Sequence, residues 1–582
     1  MNTEKRLLLA VVLMMAAVVL VNIIFPPGPP QPREGATDTL EVPAPSPRDA
    51  ADTSTGAMSP DTVPGSRAAA GRLVPPPDSL PVPAPAEPES VLVEDTIWVT
   101  SPLYRLGFAD RGGHLVSAEM LRFESLAPES RGQPVQLVPA GAENFLSHLW
   151  VVGGDTLDLG DARFDILPPQ LSLPEGSPPQ TLTLTYQHPR ADLRVELTYT
   201  FKPDSYVVEL QGQLRGVQGT GWWGLGLGPG LVSNEWDPEQ DYKSNLQFSA
   251  RGPQGVQYQK VSDVAPGERI ILDGPFEWAA VRTKYFVAAL VRPPEAPEAA
   301  RLAGLRIEGL PASPYRARAV ASFPLQSGGS FRYRFYIGPQ DYTRLSHVGH
   351  ELDEVNPYGY KWLQPVLRPL AGAITTLLVW MHNAFALGYG WILIIFGIGI
   401  RVVLFPLYQK SMRSQMATMR VQPLMKEIQT KYKNDPQKLQ QEMLKLYKEH
   451  GVNPLGGCLP MLLPFPILIA LFFVFRDTIE FRGVPFLWLP DLSRPDPYYI
   501  IPVLMGISVF VLQWITQRTT PQSNPQMKMM MWIMPVMLTV LFLNFASGLN
   551  LYYATMNLAS LPQQLYLAKE RRAAAPPQPS KS

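Results

Sequence analysis

After residue 360 apolar runs follow one another too closely for any soluble core to take them. They are Ala386–Leu407, Gly457–Phe475, Tyr499–Ile515, Met529–Phe545 and Leu549–Leu567, the last two separated only by Ala546-Ser547-Gly548. A large soluble domain buries a helix that is apolar all round, but five in succession exhaust such an interior. A further run, Leu7–Phe25, holds one polar residue, Asn22. At about 1.5 Å per residue it nearly matches a hydrocarbon layer. Lys5 and Arg6 precede it, and neither an A-x-A cleavage site nor a lipidation cysteine follows. It therefore reads as an uncleaved signal anchor. Six spans result, those of a polytopic α-helical membrane protein.

Charge sets the orientation. Lys+Arg and Asp+Glu both number 50, which argues against nucleic-acid binding by bulk charge. The loop between the second and third spans carries nine basic residues, among them Lys431, Lys433, Lys438 and Lys445, against Glu427, Asp435, Glu442 and Glu449. The next loop is acidic on balance, with Asp477, Glu480, Asp491 and Asp496 against Arg482 and Arg494. Arg518 and Lys528 follow without an acid, and the tail adds Lys569, Arg571, Arg572 and Lys581. Positive loops alternate, which places both termini in the cytoplasm.

Between the first two spans the chain changes character twice. Residues 26–90 hold seventeen prolines, a composition that suits an extended tether. Beyond it, Leu193, Val195, Leu197, Tyr199 and Phe201 alternate with polar residues. A Lys202–Ser205 turn leads into Tyr206, Val208 and Leu210, likewise alternating. This is a half-buried antiparallel hairpin. Similar strands flank Arg111-Gly112-Gly113 and run through Phe331–Phe335, so an all-β sandwich is expected. The glycines Gly224, Gly226, Gly228 and Gly230 lack the Lys-Ser/Thr of a phosphate loop and read as strand or turn residues. His347, His350, Glu351 and Glu354 have spacing that suits a metal on a helix, but they sit in a connector with no third histidine and read as solvated. Trp222 and Trp223 could line a sugar site, but core packing is the better reading.

The membrane half holds the residues that need a reason. Pro365–Phe385 suits an amphipathic helix lying in the interface. Arg401 sits inside the second span, where a cation costs about 2.5–3.5 kcal/mol on the insertion scale. Either it snorkels to the cytoplasmic headgroups, or it faces a water-filled cavity with Gln513, Asn550, Tyr552, Tyr553 and Asn557, any of which could instead be interhelical glue. The basic loop is an antiparallel helical hairpin. Asn434-Asp435-Pro436 starts its second arm, Gly451 stops it, and Leu439, Met443 and Leu446 face Met412, Met416, Met419, Met425, Ile428 and Tyr432. Pro423 kinks its first arm. Methionines from Met527 to Met537 gather in the fifth span, an adaptable apolar surface. The single cysteine, Cys458, excludes an internal disulfide and a CxxC zinc site.

Val452-Asn453-Pro454-Leu455-Gly456-Gly457-Cys458-Leu459-Pro460, Asp496-Pro497-Tyr498-Tyr499, Ser547-Gly548-Leu549 and Leu551-Tyr552-Tyr553, with the in-span arginine and the basic hairpin, resemble the YidC membrane protein insertases over residues 357–568. The signal anchor and β-domain resemble the Gram-negative form, whose periplasmic domain is a galactose-mutarotase-like sandwich. The resemblance implies a five-helix core around a hydrophilic groove open to cytoplasm and lipid. Arg401, Gln513, Tyr552, Tyr553 and Gly397 would line it, with Met530, Met534 and Phe465 as an apolar slide. Gly397 stands where relatives often carry a hydroxyl residue, so no role of that hydroxyl carries over. Lys431, Lys433, Lys438 and Lys445 would form a cytoplasmic capture face.

The expected organisation is a signal anchor over 1–25, a tether over 26–90, a periplasmic sandwich over 91–345, and a connector with interfacial helix over 346–385. A five-helix core over 386–568 encloses the hairpin at 408–451, and a basic tail covers 569–582. The expected function is insertion and folding of nascent membrane proteins in the bacterial inner membrane, alone or with the Sec translocon. Ribosome, nascent chains and lipid are the partners, with no specific nucleic-acid sequence. No cofactor, metal or enzymatic activity is expected. Two other readings compete with it: a secondary transporter in which Arg401 binds an anionic solute, and a membrane-anchored periplasmic sugar-binding protein.

Overall fold

The computed structural model describes residues 95–574 apart from 143–144, 153–154, 190–191, 217–220, 312–316, 327, 357–363, 407–408, 410–420, 422–423, 426, 433–434, 452–463 and 519–524. The signal anchor, the tether, Lys433 and the 452–460 motif lie outside the described residues.

Alternation in the sequence becomes a hairpin at the centre of the β-domain. Arg194–Phe201 pairs antiparallel with Val207–Arg215, Tyr199 opposite Leu210. Val195, Leu197, Tyr199, Phe201, Val208 and Leu210 are buried, while the residues between them face outward. The period of two puts every second side chain on one face, and that face is apolar. The hairpin belongs to a nine-stranded sheet. A six-stranded and a five-stranded sheet complete the domain. All three feed one core: Tyr199 and Leu210 from the first, Trp223 and Phe323 from the second, Leu106 and Phe108 from the third.

Gly112 and Gly113, at φ +76° and +60°, turn the chain between Tyr104–Ala109 and Leu115–Glu124 where a side chain would strain the backbone. The tryptophan pair divides, contrary to expectation. Trp223 is fully buried, whereas Trp222 is 46% exposed, because successive residues on a strand point to opposite faces.

Among the described residues two short helices, α1 (Pro238–Asn245) and α2 (Tyr342–Val348), decorate the sandwich, and seven more follow it in chain order: α3 (Gln364–Phe385), α4 (Tyr389–Val403), α5 (Pro436–Glu449), α6 (Pro464–Asp477), α7 (Ile500–Arg518), α8 (Pro525–Phe542) and α9 (Ser547–Ala574). Leu367, Ala371, Ile374, Leu378 and Met381 recur every three or four residues along α3 and are buried. That stripe seats the helix on the apolar core shared by α4, α6, α7 and α9.

Among the described residues no single helix is long and apolar enough to cross a membrane. Only α3 and α4 qualify together, bent by 117° at their break. The second span, expected as one run over Ala386–Leu407, is thus a fifteen-residue helix preceded by a sharp corner. Ala386 takes φ +53°, and the N–H groups of Trp391 and Ile392 bond to Gly388. The helices are apolar outside as well as inside. Trp391, Ile395, Ile398 and Val402 form an exposed stripe on α4, and Trp532, Val536 and Val540 do so on α8.

The loop between α6 and α7 joins helices to sandwich. Ile479 enters the β-domain core. The Arg482 side chain, 4% exposed, bonds through Nε to Glu235 Oε1 and through its two terminal nitrogens to the carbonyls of Glu124 and Asn234, each at 2.8 Å. A buried charge of this kind is tolerable only when paired and hydrogen-bonded. Burial pushes the Glu235 carboxyl up, and Arg482 opposes the shift.

A second tie runs through Glu354, which is ion-paired with both Arg251 of the sandwich and Arg368 of α3. Glu351 also pairs with Arg251, and His350 lies 3.2 Å from Glu277. Of the connector residues weighed for a metal, Glu354, Glu351 and His350 are thus engaged with charged partners, while His347 is exposed and meets the Thr343 carbonyl of its own helix. Among the described residues no three His, Cys, Asp or Glu side chains are placed to hold a metal ion.

Glu480 lines a small cavity at this junction with Gln340, Asp353, Asn356 and Asp477. Burial, with a smaller push from Asp341, raises its carboxyl from 4.5 to about 7. Folding thus favours the protonated form. The stabilisation is complete below the ordinary carboxylate value and is lost as pH rises through about 7, in total about 3 kcal/mol. The thermal midpoint of the full chain in detergent should fall between pH 5 and pH 8 by an amount that Glu480→Gln removes. An identical pH slope in that variant would show that Glu480 does not carry it.

Candidate functional site

Arg401 lies in the last turn of α4. The carbonyls there lack onward helical partners, so the helix end carries partial negative charge and favours a cation. This lowers the cost of an arginine that is only 8% exposed among apolar helices. Its Nη2 donates to Gln563 Oε1 of α9 at 2.6 Å, and Gln563 is itself 8% exposed. The Arg401 side chain is turned inward and tied to the last helix.

Gln563 was missed in the sequence. Its signal was a Gln563-Gln564 pair inside an apolar run, as costly there as the asparagines that were noticed.

The expected groove residues spread over several helices. Gln513 of α7 donates through Nε2 to Met534 Sδ of α8 at 3.0 Å. Tyr552 is buried against Phe396 of α4, ring centroids 5.7 Å apart. Half-buried Tyr553 packs on Phe542 at 5.5 Å. Gly397 is buried on α4 beside Tyr552 and Thr555. Asn550 and Asn557 are interhelical ties. The first donates to the Phe542 carbonyl at 3.0 Å, finishing α8, and the second to Ser508 Oγ of α7 at 3.0 Å. Met534 is half-buried, and the side chains of Phe465 and Met530 lie outside the described residues.

Short polar motifs pin the opposite helix ends. Asp496 is fully buried. Its oxygens accept from the N–H groups of Tyr498 at 3.0 Å and Ile501 at 2.8 Å, capping α7. Ser547 Oγ donates to the Asp491 carbonyl at 3.1 Å, and the Gly548 N–H bonds to Leu492, which fixes the start of α9. Between α4, α7 and α9 lies an apolar cleft of about 530 Å³ lined by Ile394, Ile398, Leu504, Ile507, Leu551 and Leu558 among others.

The basic hairpin is partly described. Asp435 caps α5 by accepting from the Lys438 N–H, Pro436 opens the helix, and Gly451 at φ +62° follows its end. Val421 and Leu446 bury against Met425, Ile428 and Tyr447. Lys431, Lys438 and Lys445 are exposed, the first two placed 5.4 and 5.8 Å from the Tyr432 ring. Met412, Met416, Met419 and Pro423 lie outside the described residues.

Residues 96–373 match the family described as the YidC periplasmic domain, and residues 380–574 the one described as 60Kd inner membrane protein. A membrane protein insertase YidC from Chlorobaculum parvum is 34% identical over 505 residues, covering 81% of this chain and 82% of the relative. The chain belongs to the YidC insertase family.

Another YidC insertase, from Syntrophus aciditrophicus, is 32% identical over 591 residues, 97% of this chain and 100% of the relative. A crystal structure described as an active YidC insertase with its first transmembrane domain resolved is 20% identical, covering 82% of this chain and 93% of that one, with a TM-score of 0.32.

Within the chain, two glycines differ in what they tolerate. A Cβ at Gly397 would meet Thr555 Cγ2 at 3.3 Å and Tyr552 at 3.5 Å, close to ordinary contact. At Gly506 it would lie 1.9 Å from Thr539 Oγ1, where α7 crosses α8. Gly397→Ala should therefore leave the thermal midpoint within a degree or two. Gly506→Val should cost about 1–3 kcal/mol through overpacking. Equal effects of the two substitutions would contradict the packing described.

Proposed function

We propose that this chain inserts nascent membrane proteins into the bacterial inner membrane and that Arg401 receives polar groups of the segment in transit. The insertase activity follows from the family. The observation that carries the part given to Arg401 is its placement, buried at the end of α4 and hydrogen-bonded to Gln563 between helices whose outer faces are apolar. Exposed apolar stripes on successive helices suit lipid as the surrounding solvent.

Six spans with both termini in the cytoplasm, the first being Leu7–Phe25, are supported by the alternation of basic and acidic loops. In that arrangement the sandwich is periplasmic. The basic hairpin and tail face the cytoplasm, where the ribosome meets them, and the Sec translocon is the neighbour in the membrane plane.

The energetics are compatible with a device that needs no fuel. Fifteen or so Leu, Ile, Val or Phe residues entering lipid supply roughly 5–9 kcal/mol on the insertion scale. One acid in the flank opposes this with about 2.5–3.5 kcal/mol. A hydrogen bond between charged partners returns about 1.5–3 kcal/mol, enough to ease passage without trapping the client. Gln513, Tyr552 and Tyr553 would line the same path, with Met530, Met534 and Phe465 contacting the apolar part. The transporter and sugar-binding alternatives draw nothing from the relatives' names.

Arg401→Lys should keep most insertion of a client with an acidic flank, since a cation remains although the guanidinium fork is lost. Arg401→Ala should slow that client several-fold while sparing one with a neutral flank. Proteoliposome insertion of clients matched except in flank charge measures this, and equal slowing of both would assign Arg401 a structural part.

Reversing Lys431, Lys438 and Lys445 to Glu should weaken ribosome binding by the full chain, most clearly at low salt, because exposed charges are screened over about 10 Å at 0.1 M. Binding that is unchanged at low salt would reduce these lysines to topology signals.

A further inference from the structure

Gln563 offers more than an anchor for Arg401. Its Oε1 accepts from Arg401 Nη2 at 2.6 Å. That contact fixes which way the amide faces, since turning it over would set two donors against each other. The opposite atom, Nε2, is then committed as a donor. It is buried, belongs to a side chain only 8% exposed, and has no hydrogen-bond partner among the described residues. Buried amide donors are paired in nearly all folded proteins, so one left open beside a guanidinium asks for an acceptor from elsewhere.

We propose that Gln563 Nε2 and the Arg401 guanidinium form a two-donor receptor for an acceptor oxygen of the segment being inserted. That oxygen is either a side-chain carboxylate or a main-chain carbonyl, and the inference rests on the proposed function of Arg401. The two donors come from different helices, α4 and α9, so an oxygen held by both bridges them. The chemistry is complementary. The guanidinium brings charge and several N–H groups, and the amide adds a directed N–H without a second charge to desolvate. Because Gln563 also supplies the acceptor that orients Arg401, a single side chain sets the cation's position and completes the site beside it.

The test exploits the difference between the two atoms of the amide. Gln563→Glu keeps an acceptor for Arg401 and removes the free donor, but its carboxylate also pairs with the cation, so the receptor requires loss in Gln563→Met as well. Gln563→Met, similar in length and unbranched, removes both. Each variant is made in the full chain and reconstituted in proteoliposomes with matched clients bearing an acidic or a neutral flank, after its membrane level and thermal midpoint are checked.

Gln563→Glu should slow insertion about tenfold, the worth of a hydrogen bond to a charged acceptor. Loss confined to the acidic flank identifies a carboxylate, and equal loss with both flanks identifies a main-chain carbonyl. Insertion at the wild-type rate by Gln563→Glu overturns the receptor and leaves Gln563 as an orienting residue only. If Gln563→Glu fails to accumulate, Gln563→Met decides, and wild-type insertion by that variant overturns the receptor equally. Arg401→Ala run in parallel separates the two proposals. Normal insertion by Arg401→Ala removes both, whereas impaired insertion with Gln563→Glu normal removes only the receptor.

Discussion

In a lipid solvent apolar contact between helices has little to distinguish it from contact with lipid tails, so something other than hydrophobicity must hold helices in register. Here that burden falls on polar ties at helix ends. Asp496 starts α7, Ser547 and Gly548 fix the start of α9 against Asp491 and Leu492, and Asn550 finishes α8. Arg482, from the loop between α6 and α7, bonds into the sandwich through Glu235 and two carbonyls.

The same logic explains why an arginine can sit where it does. Charge inside a helical bundle is retained only where local groups offset its desolvation. Arg401 has the end of α4 beneath it and the Gln563 amide against it. The Gln563 amide orients the guanidinium without bringing a second charge.

Much of this could be read from local sequence because it is written locally. The alternation from Val195 to Leu210 gave both strands and their buried face, and Asp435-Pro436 with Gly451 gave the limits of α5. Arg401 stood out because its cost in an apolar run needs no partner to be noticed. Long-range pairing left no such trace. Arg401 and Gln563 are 162 residues apart, and no period in either helix announces their contact. The break at Phe385–Ala386 was legible as the change from an amphipathic helix to an all-apolar run, whereas its angle left no trace in the sequence. Composition does not separate Trp222 from Trp223, whereas strand geometry sends the two to opposite faces.

That corner has a mechanical side. At 117° between its arms, the α3–α4 pair is a crank rather than a rod. Its near arm is gripped by the sandwich through Arg368 and Glu354, and its far arm carries Arg401. Arg401 sits about 18 Å along α4, so turning α3 about its own axis by about 5° sweeps the guanidinium through roughly 1.4 Å. The geometry links the sandwich to the buried charge through one helix and one elbow.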